Sequence, residues 1–164
     1  MFKWIGLVVL ALALLVGGVA VAGSMLPVQH TAALSASFSQ SPQQVWDVIA
    51  APPTWRADVE RYEELPSPAG HRMWREYGKA GSKMTYEVLE SDPPRKLVTQ
   101  IADKNLPFGG TWTYEIQPQG SGSILTITEN GEVYNPIFRF VSRYVQGHTA
   151  TIDRYLKQLH SKLV

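Results

Sequence analysis

The side chain best suited to proton transfer is His148, in the stretch YVQGHTATI near the C-terminus. Tyr144 and Ile152 lie four residues before and after it, and other apolar residues recur at helical intervals around them. This spacing predicts that His148 lies on the buried face of a long helix. Since imidazole titrates near neutral pH, a buried His beside a ligand can act as a general base or hold a polar ligand atom. A core His that only hydrogen-bonds within the protein fits the same spacing.

Gly147 precedes this His within the predicted helix. Gly in a helix interior costs about 1 kcal/mol relative to Ala, which indicates a bend or a close approach of the sheet at this point. We therefore predict that Gly147 and His148 mark the place where the helix forms the polar end of a pocket.

Most other catalytic signatures are missing from the sequence. There is no G-x-S-x-G motif, no phosphate-binding loop and no dinucleotide fingerprint. The chain has no Cys, which excludes thiolate chemistry, disulfides and Cys-based zinc sites. Its net charge of +1 argues against a nucleic-acid-binding protein. The four His show no metal-ligand spacing and stand at His30, His71, His148 and His160. We expect no cofactor, no metal and no nucleic-acid partner.

Large side chains recur at alternate positions of three predicted strands. Apolar walls with a few hydroxyl groups are typical of a small-molecule pocket, and aromatic side chains fill ordinary cores in the same way. Both interpretations remain open from the spacing alone. The three sets are Trp112, Tyr114 and Ile116; Met84, Tyr86 and Val88; and Leu97, Thr99 and Ile101.

The stretch HRMWREY allows two orientations of one strand. If Trp74 faces inward, Arg72 and Glu76 face inward with it and bring an ion pair to the pocket. If Met73 and Tyr77 face inward, the charges are solvated. Since charged residues are rarely buried without a partner, the second orientation is favoured.

Glu129 has a similar ambiguity, because it shares the alternation phase of Leu125 and Ile127. A carboxyl group beside an apolar cavity would have a raised pKa and could act as an acid.

The N-terminal segment predicts a membrane anchor. Every residue from Trp4 to Gly23 is apolar or Gly, and Lys3 precedes them. About 20 such residues match the thickness of a bilayer, so we divide the chain into an anchor, residues 1–26, and a domain, residues 27–164. A cleaved signal peptide with its cleavage site after Ala22 is the alternative. Lys3 predicts a cytoplasmic N-terminus and an extracytoplasmic domain, which would be secreted if the segment were cleaved.

Alternating apolar and polar residues predict a first strand from His30 to Gln40. Ser41, Pro42 and Gln44 then provide the N-cap, first residue and capping box of a helix. Further strands are predicted near 59–65, 70–78, 82–91, 96–103, 111–117 and 123–130. Their short connections favour an antiparallel meander.

The last predicted element is one long helix, from about Ile137 to Leu163. Asn135 is its expected N-cap, and Pro136 is expected at its first position.

Five stretches of the sequence carry a family resemblance: VWDVI, PPTW, ESDPPRKLV, LPFGGTWTYEI and TENGEVYNPIFRF. Together they resemble the SRPBCC superfamily, the START-like, helix-grip group that includes polyketide cyclase/dehydrase-like proteins. The resemblance covers residues 31–163. It implies an α+β fold in which a curved antiparallel sheet of about seven strands wraps around a long C-terminal helix. It also implies an apolar ligand cavity between sheet and helix.

The resemblance and the anchor together predict a membrane-anchored binding protein for a hydrophobic or amphipathic small molecule, lipid-like or polyketide- or isoprenoid-like. The ligand would be buried against aromatic side chains, and His148 would hold a polar group. The expected ligand-binding residues are Trp74, Tyr86, Trp112, Tyr114, Val141, Tyr144, Val145, His148 and Ile152.

Two alternatives remain open. In the first, the protein is an enzyme of the cyclase or dehydratase type. His148 would then be the general base, Tyr114 would stabilise a developing enolate and Glu129 would serve as an acid. In the second, the core is filled, and the domain acts through its surface as a non-catalytic partner near the membrane.

Overall fold

The computed structural model describes residues 2–67 and 70–164. An N-terminal helix precedes a seven-stranded sheet, and two further helices end the chain. The elements are α1 (Phe2–Ser24), β1 (Gln29–Phe38), α2 (Pro42–Ala50), β2 (Val59–Leu65), β3 (Met73–Gly78), β4 (Lys83–Asp92), β5 (Lys96–Ile101), β6 (Phe108–Gln119), β7 (Gly122–Val133), α3 (Pro136–Val141) and α4 (Ala150–Leu163). Short 3₁₀ turns follow α2 and β3, and a π-helical turn follows α3.

The seven strands form one antiparallel sheet in the order β1-β7-β6-β5-β4-β3-β2. Consecutive strands from β2 to β7 pair with one another, and β1 pairs with β7. Register shifts in β2 and β4 interrupt the ladders, and such irregularities increase local twist and bend the strand. The predicted α+β, helix-grip architecture and antiparallel meander are confirmed.

Helix α2 begins as its sequence predicts. The Ser41 hydroxyl accepts a hydrogen bond from the Gln44 backbone, the Gln44 side chain reaches back to the Ser41 backbone, and Pro42 occupies the first turn. The capping box satisfies donors that the first helical turn leaves free. The buried residues of α2, Val45 and Trp46, belong to the hydrophobic core.

The hydrophobic core lies between the concave face of the sheet and α4. Leu125, Ile127, Ile152 and Leu159 are fully buried there. Because apolar area removed from water contributes roughly 25 cal/mol per Å², these contacts hold α4 in place. The same packing positions the cavity described below.

The long C-terminal helix predicted for 137–163 is interrupted. Helix α3 ends at Val141, a π turn covers Ser142–Gln146, and α4 begins at Ala150. Gly147 lies at the break with φ of 77°, a conformation that L-residues with a side chain rarely adopt. The bend predicted at Gly147 is therefore present, whereas the prediction of one continuous helix is wrong.

Helix α1 is long and apolar enough to span a membrane, and a signal sequence meets the same criterion. Its C-terminal end packs against α3. A Cβ atom at Gly23 would overlap the carbonyl oxygen of Pro136, so the two backbones touch. Arg139 Nη1 also donates to the carbonyl oxygen of Leu26 at 2.6 Å. These contacts join the end of α1 to the start of α3.

Candidate functional site

A cavity of about 610 Å³ lies between the sheet, α3 and α4. Its volume falls within the range of about 300–1,000 Å³ typical of small-molecule sites. This cavity is inconsistent with the hypothesis, left open by the sequence, that the core is filled. The predicted ligand-binding residues that line it are Trp74, Tyr86, Trp112, Tyr114, Val141 and His148.

The other three predicted ligand-binding residues do not line the cavity. Ile152 is fully buried in the core. Tyr144 and Val145 are 63% and 72% exposed, so the prediction that they lie on the buried helix face is wrong. The physical reason is the π turn, which adds a residue to the helical repeat and rotates both side chains away from the sheet.

The wall of the cavity is formed by alternate side chains of three strands. Trp112 of β6 lies opposite Thr99 of β5, and Tyr114 lies opposite Leu97. All members of the three predicted sets line the cavity except Ile116, which belongs to the core. The wall is therefore mainly apolar and carries a few hydroxyl groups.

Three aromatic rings surround Tyr155 of α4. Its ring centroid lies 5.4 Å from that of Trp55, 5.7 Å from that of Trp112 and 5.7 Å from that of Tyr114. Tilted and edge-on contacts of this kind are favourable for aromatic pairs. Burial raises the pKa of both Tyr114 and Tyr155. Both phenols therefore stay protonated near neutral pH and can donate a hydrogen bond.

One end of the cavity holds an ion-pair cluster, defined here as Arg56, Asp58 and Glu76. Arg56 Nη1 lies 3.0 Å from Glu76 Oε2, and Arg56 Nη2 lies 2.6 Å from Asp58 Oδ2. Trp74 Nε1 donates to Glu76 Oε1 at 3.0 Å. Burial raises the pKa of Glu76, although the charge of Arg56 opposes this shift. The close Arg56 guanidinium offsets part of the cost of burying the Glu76 carboxylate.

The buried Glu76 corrects the favoured orientation of β3. Trp74 and Glu76 face inward, and the orientation with Met73 and Tyr77 inward is wrong. The sequence offers Arg72 as the inward partner of Glu76, but Arg72 pairs with Glu64, and a different partner holds the buried Glu76 carboxylate. That partner is Arg56, which follows the 3₁₀ turn after α2.

The other end of the cavity holds an imidazole cluster, defined here as His30, Glu129 and His148. The two imidazole rings are stacked, with centroids 4.0 Å apart and planes inclined by 19°. His30 Nε2 lies 3.4 Å from Glu129 Oε1. Ser142 Oγ and His148 Nδ1 are 3.1 Å apart and share a hydrogen bond. Three separate parts of the chain thus meet at this end.

Glycine makes room for this stack. A Cβ atom at Gly131 of β7 would overlap the His30 ring, so only Gly allows the ring to lie across the strand. Burial lowers the pKa of His30, and burial together with the charges of His30 and Arg143 lowers the pKa of His148. Both rings are therefore neutral near pH 7.

Burial also raises the pKa of Glu129. A hydrogen bond donated by the Trp112 indole opposes this rise. Glu129 lies opposite Trp112 in the β6–β7 ladder. A carboxyl group whose pKa is raised in this way is suited to donate a proton as well as to accept a hydrogen bond.

Of the three predicted catalytic residues, Glu129 and His148 lie at the same end of the cavity, whereas Tyr114 does not. His30 lies opposite Gly131, which lies opposite Gly110 of β6. Tyr114 is four residues further along β6 than Gly110, about 13 Å at the rise of a β-strand, and two residues beyond Trp112, which lies opposite Glu129. Arg56 and Glu76 are the charges that most affect the pKa of Tyr114, so its hydroxyl belongs to the ion-pair end.

His30 is a site residue that sequence reasoning did not single out. Its alternation phase matches that of Ala32 and Leu34, which indicates an inward side chain at the start of β1. Its contact with His148 has no local sequence signal, because the sheet brings the two ends of the domain together. Within 2–67 and 70–164, no group of three His, Cys, Asp or Glu residues is arranged to hold a metal ion.

Comparisons with known proteins agree with this geometry. A family model described as polyketide cyclase/dehydrase and lipid transport matches residues 29–163. No curated protein matches the sequence.

Several solved structures share the fold at low sequence identity. A protein from Thermus thermophilus is 18% identical with a TM-score of 0.65, and the match covers 82% of this chain and 97% of that one. Norcoclaurine synthase from Thalictrum flavum is 12% identical with a TM-score of 0.63, covering 82% and 86%. The di-domain ARO/CYC protein StfQ of the steffimycin biosynthetic pathway is 12% identical with a TM-score of 0.66, covering 83% and 51%. At these identities the likeness concerns the fold alone.

Proposed function

Because this chain belongs to the polyketide cyclase/dehydrase and lipid transport family, we propose that it binds a hydrophobic or amphipathic small molecule in the cavity between the sheet and α4. The ligand is lipid-like or resembles a polyketide or isoprenoid. The observation that carries the proposal is the cavity of about 610 Å³, which has an apolar wall between two polar ends.

The two polar ends suggest how the ligand is held. Its apolar body is buried against side chains such as Val88, Leu97 and Trp112, which removes apolar area from water. Neutral hydroxyl groups at the ion-pair end and neutral imidazoles at the other end supply hydrogen-bond partners. Ser142 occupies Nδ1 of His148, so Nε2 is the atom that we expect to meet a polar group of the ligand.

Membrane anchoring is the second part of this proposal. Helix α1 supplies a single span, with the N-terminus in the cytoplasm and the domain outside. The length and apolar character of Lys3–Ser24 support it. Residues 27–164 then form the ligand-binding domain next to the membrane surface.

The cavity proposal can be tested by native mass spectrometry of the full-length chain released from detergent micelles, followed by extraction of bound molecules. Val88 lines the cavity, and its neighbour Leu89 is exposed. We expect the wild type and Leu89→Trp to carry a bound mass that is lost on denaturation, whereas Val88→Trp, whose indole would project into the cavity and narrow it, carries less. Circular dichroism verifies that both variants fold. An empty wild type, even when offered lipids and polyketide-like aromatics, would contradict the proposal, as would equal occupancy of the two variants.

The imidazole cluster favours a second candidate function, and we propose it as the alternative: an enzyme of the cyclase or dehydratase type. Neutral His148 would remove a proton from a carbon next to a carbonyl group. Glu129, whose raised pKa favours its protonated form, would donate a proton to a leaving hydroxyl, which departs as water. Tyr114 lies nearer the ion-pair end, where Arg56 and Glu76 affect its pKa, and its role as the enolate-stabilising group stays a prediction. Cyclised or dehydrated product from a poly-β-ketone, lost in His148→Gln while binding persists, would establish this function.

A further inference from the structure

We propose that the segment Pro136–Gly147, here called the interfacial segment, lies in the interface of the bilayer that α1 spans, and that the cavity exchanges its ligand directly with the lipid there. This inference rests on the proposed membrane anchoring and ligand binding. It adds the surface that meets the bilayer and the source of the ligand.

The first argument is depth. The exposure of α1 falls only near its C-terminal end, at Val19, Ala20, Ala22 and Gly23. Helix α3 packs against this part of α1, with backbone contact between Gly23 and Pro136. Val19 and Gly23 are about 6 Å apart along the helix axis. Helix α3 therefore lies beside the last turn of the apolar stretch, where a spanning helix leaves the hydrocarbon and enters the interface.

The second argument is the surface that the segment presents. Phe138, Tyr144 and Val145 are exposed, and Met25 and Tyr134 next to the segment are exposed as well. A cluster of large apolar side chains is unfavourable in water. In a bilayer interface the aromatic rings would lie at headgroup level and the aliphatic groups at the acyl boundary. Continuity with α1 indicates that the occupant of this surface is lipid.

The third argument is that the other side of the same segment lines the cavity. Ile137, Val141, Gln146 and Gly147 all contribute to its wall. The interior of the cavity is therefore one helix thickness, about 10 Å, from the proposed lipid surface. The π turn and the break at Gly147 leave this wall without a continuous helical ladder, and stretches of this kind open more readily than regular helix. A membrane-resident molecule can then enter without crossing water.

The imidazole cluster lies on this route. His148 follows the interfacial segment directly, and its ring is held by Ser142 within the π turn. A ligand that enters from the interface with its apolar end first would leave its polar group beside His148 and His30. The inferred ligand is therefore an amphipathic membrane lipid whose headgroup lies at the imidazole cluster.

The chain has no Cys, so a single introduced Cys can carry a fluorophore whose emission depends on polarity. We would label Val145→Cys in the full-length chain, reconstituted in vesicles of phosphatidylcholine and phosphatidylglycerol. Ser121→Cys is the matched control, because Ser121 is exposed in the turn of the β6–β7 hairpin. At the rise of a strand, this turn is roughly 35 Å from the end of the hairpin that adjoins the interfacial segment. Nitroxide lipids, labelled at the headgroup or high on the acyl chain, serve as quenchers.

We expect nitroxide lipids to quench the label at Val145 several-fold more than the label at Ser121, and aqueous iodide to quench it less. Equal quenching of both labels by iodide would overturn the inference. A label at Val145 that is shielded from iodide and from every nitroxide lipid would also overturn it, since a protein partner would then cover the surface.

Transfer of ligand tests the exchange route separately. Uptake of a pyrene-labelled phospholipid from vesicles should be several-fold slower for Val145→Asp than for Ser121→Asp, with the same amount bound at equilibrium in detergent. If the cavity binds ligand but the label at Val145 meets no lipid, this inference fails and the proposed function stands. If the label meets lipid but the cavity stays empty, the exchange route fails together with the proposed function.

Discussion

The two polar ends of the cavity are built in different ways. The ion-pair cluster joins β3 to the turn before β2, and Arg56 lies within ion-pairing distance of both Asp58 and Glu76. The imidazole cluster joins β1, β7 and the break before α4, and its two rings are neutral near pH 7 because burial lowers the pKa of each. One end thus holds a close ion-paired group, and the other holds two imidazoles that gain charge as the pH falls.

This difference indicates that the ion-pair cluster mainly holds the fold in place, whereas the imidazole cluster responds to pH and ligand. Breaking the ion pair would leave an uncompensated charge in a buried site, so we expect the ion-pair cluster to hold β3 and the turn after α2 in a fixed arrangement. The imidazole cluster can change its charge near physiological pH and lies beside the interfacial segment. We therefore expect changes at the first end to affect mainly stability, and changes at the second end to affect mainly the response to pH and ligand.

The largest effect is expected at the ion-pair cluster. Glu76→Ala removes the carboxylate that Arg56 and the Trp74 indole both contact. Breaking one partner of a buried pair costs about 3–5 kcal/mol, and we expect the lower end of this range because Asp58 still pairs with Arg56. Urea unfolding of the full-length protein in detergent micelles, followed by circular dichroism, measures this loss.

The matched control is an exposed ion pair on α4. Lys157 Nζ lies 2.6 Å from Asp153 Oδ2, and exposed pairs of this kind contribute about 0.2–1 kcal/mol. Lys157→Gln should therefore change the free energy of unfolding far less than Glu76→Ala. Equal losses in the two variants would show that the ion-pair cluster does not hold the fold.

An intermediate effect is expected from overpacking the other end. Gly131→Ala places a methyl group where the His30 ring lies, and overpacking of this kind typically costs about 1–3 kcal/mol. The His30→Ala change in the same chain removes the ring and should restore most of the lost free energy of unfolding. The same urea titration measures both variants. Failure of His30→Ala to restore stability would show that Gly131 is required for another reason.

The sequence was sufficient for most of the fold because its signals are local. Strand alternation, the Ser41–Gln44 capping box and the Asn135 N-cap each depend on neighbouring residues. The C-terminal helix was less predictable, since counting apolar residues every three or four positions assumes an uninterrupted helix. The π turn breaks that assumption, which is why Tyr144 and Val145 were placed on the wrong face.

The candidate site was only partly predictable, because its key contacts join distant segments. The residues of the cavity wall follow from strand alternation. His148 was expected on the buried face of a continuous helix, whereas it lies in the break between the π turn and α4 and lines the cavity from there. The orientation of β3 depended on Arg56, and the imidazole stack depended on His30. Neither contact leaves a local signal, since the register of the whole sheet determines which side chains meet.

The smallest effect concerns pH. His30 and His148 have pKa values lowered by burial, so the unfolded chain, with an ordinary His pKa of about 6.5, binds more protons than the folded chain as the pH falls. The stability that these rings contribute is therefore fully present at neutral pH. It decreases as the pH falls below about 6.5 and stops decreasing once the pH is below the folded pKa values. Glu129, whose pKa is raised, acts in the opposite sense, because the fold disfavours its deprotonation: this cost is relieved as the pH falls from its folded pKa toward its unfolded value.

We accordingly expect the free energy of unfolding of the wild type to decrease from about pH 7 to about pH 5, and His148→Phe to show a shallower decrease. Phe keeps an aromatic ring against His30 and removes one titrating group from the stack. Urea titrations at several pH values measure the two slopes, and an NMR titration gives the pKa of each His directly.

Arg56→Gln provides the contrast between the two ends, since this substitution leaves both imidazole rings in place. Arg56→Gln should lower the free energy of unfolding. Adding His148→Phe to Arg56→Gln should still make the pH dependence shallower, by the same amount as it does in the wild type. Equal slopes for the wild type and His148→Phe would show that the imidazole cluster does not sense pH.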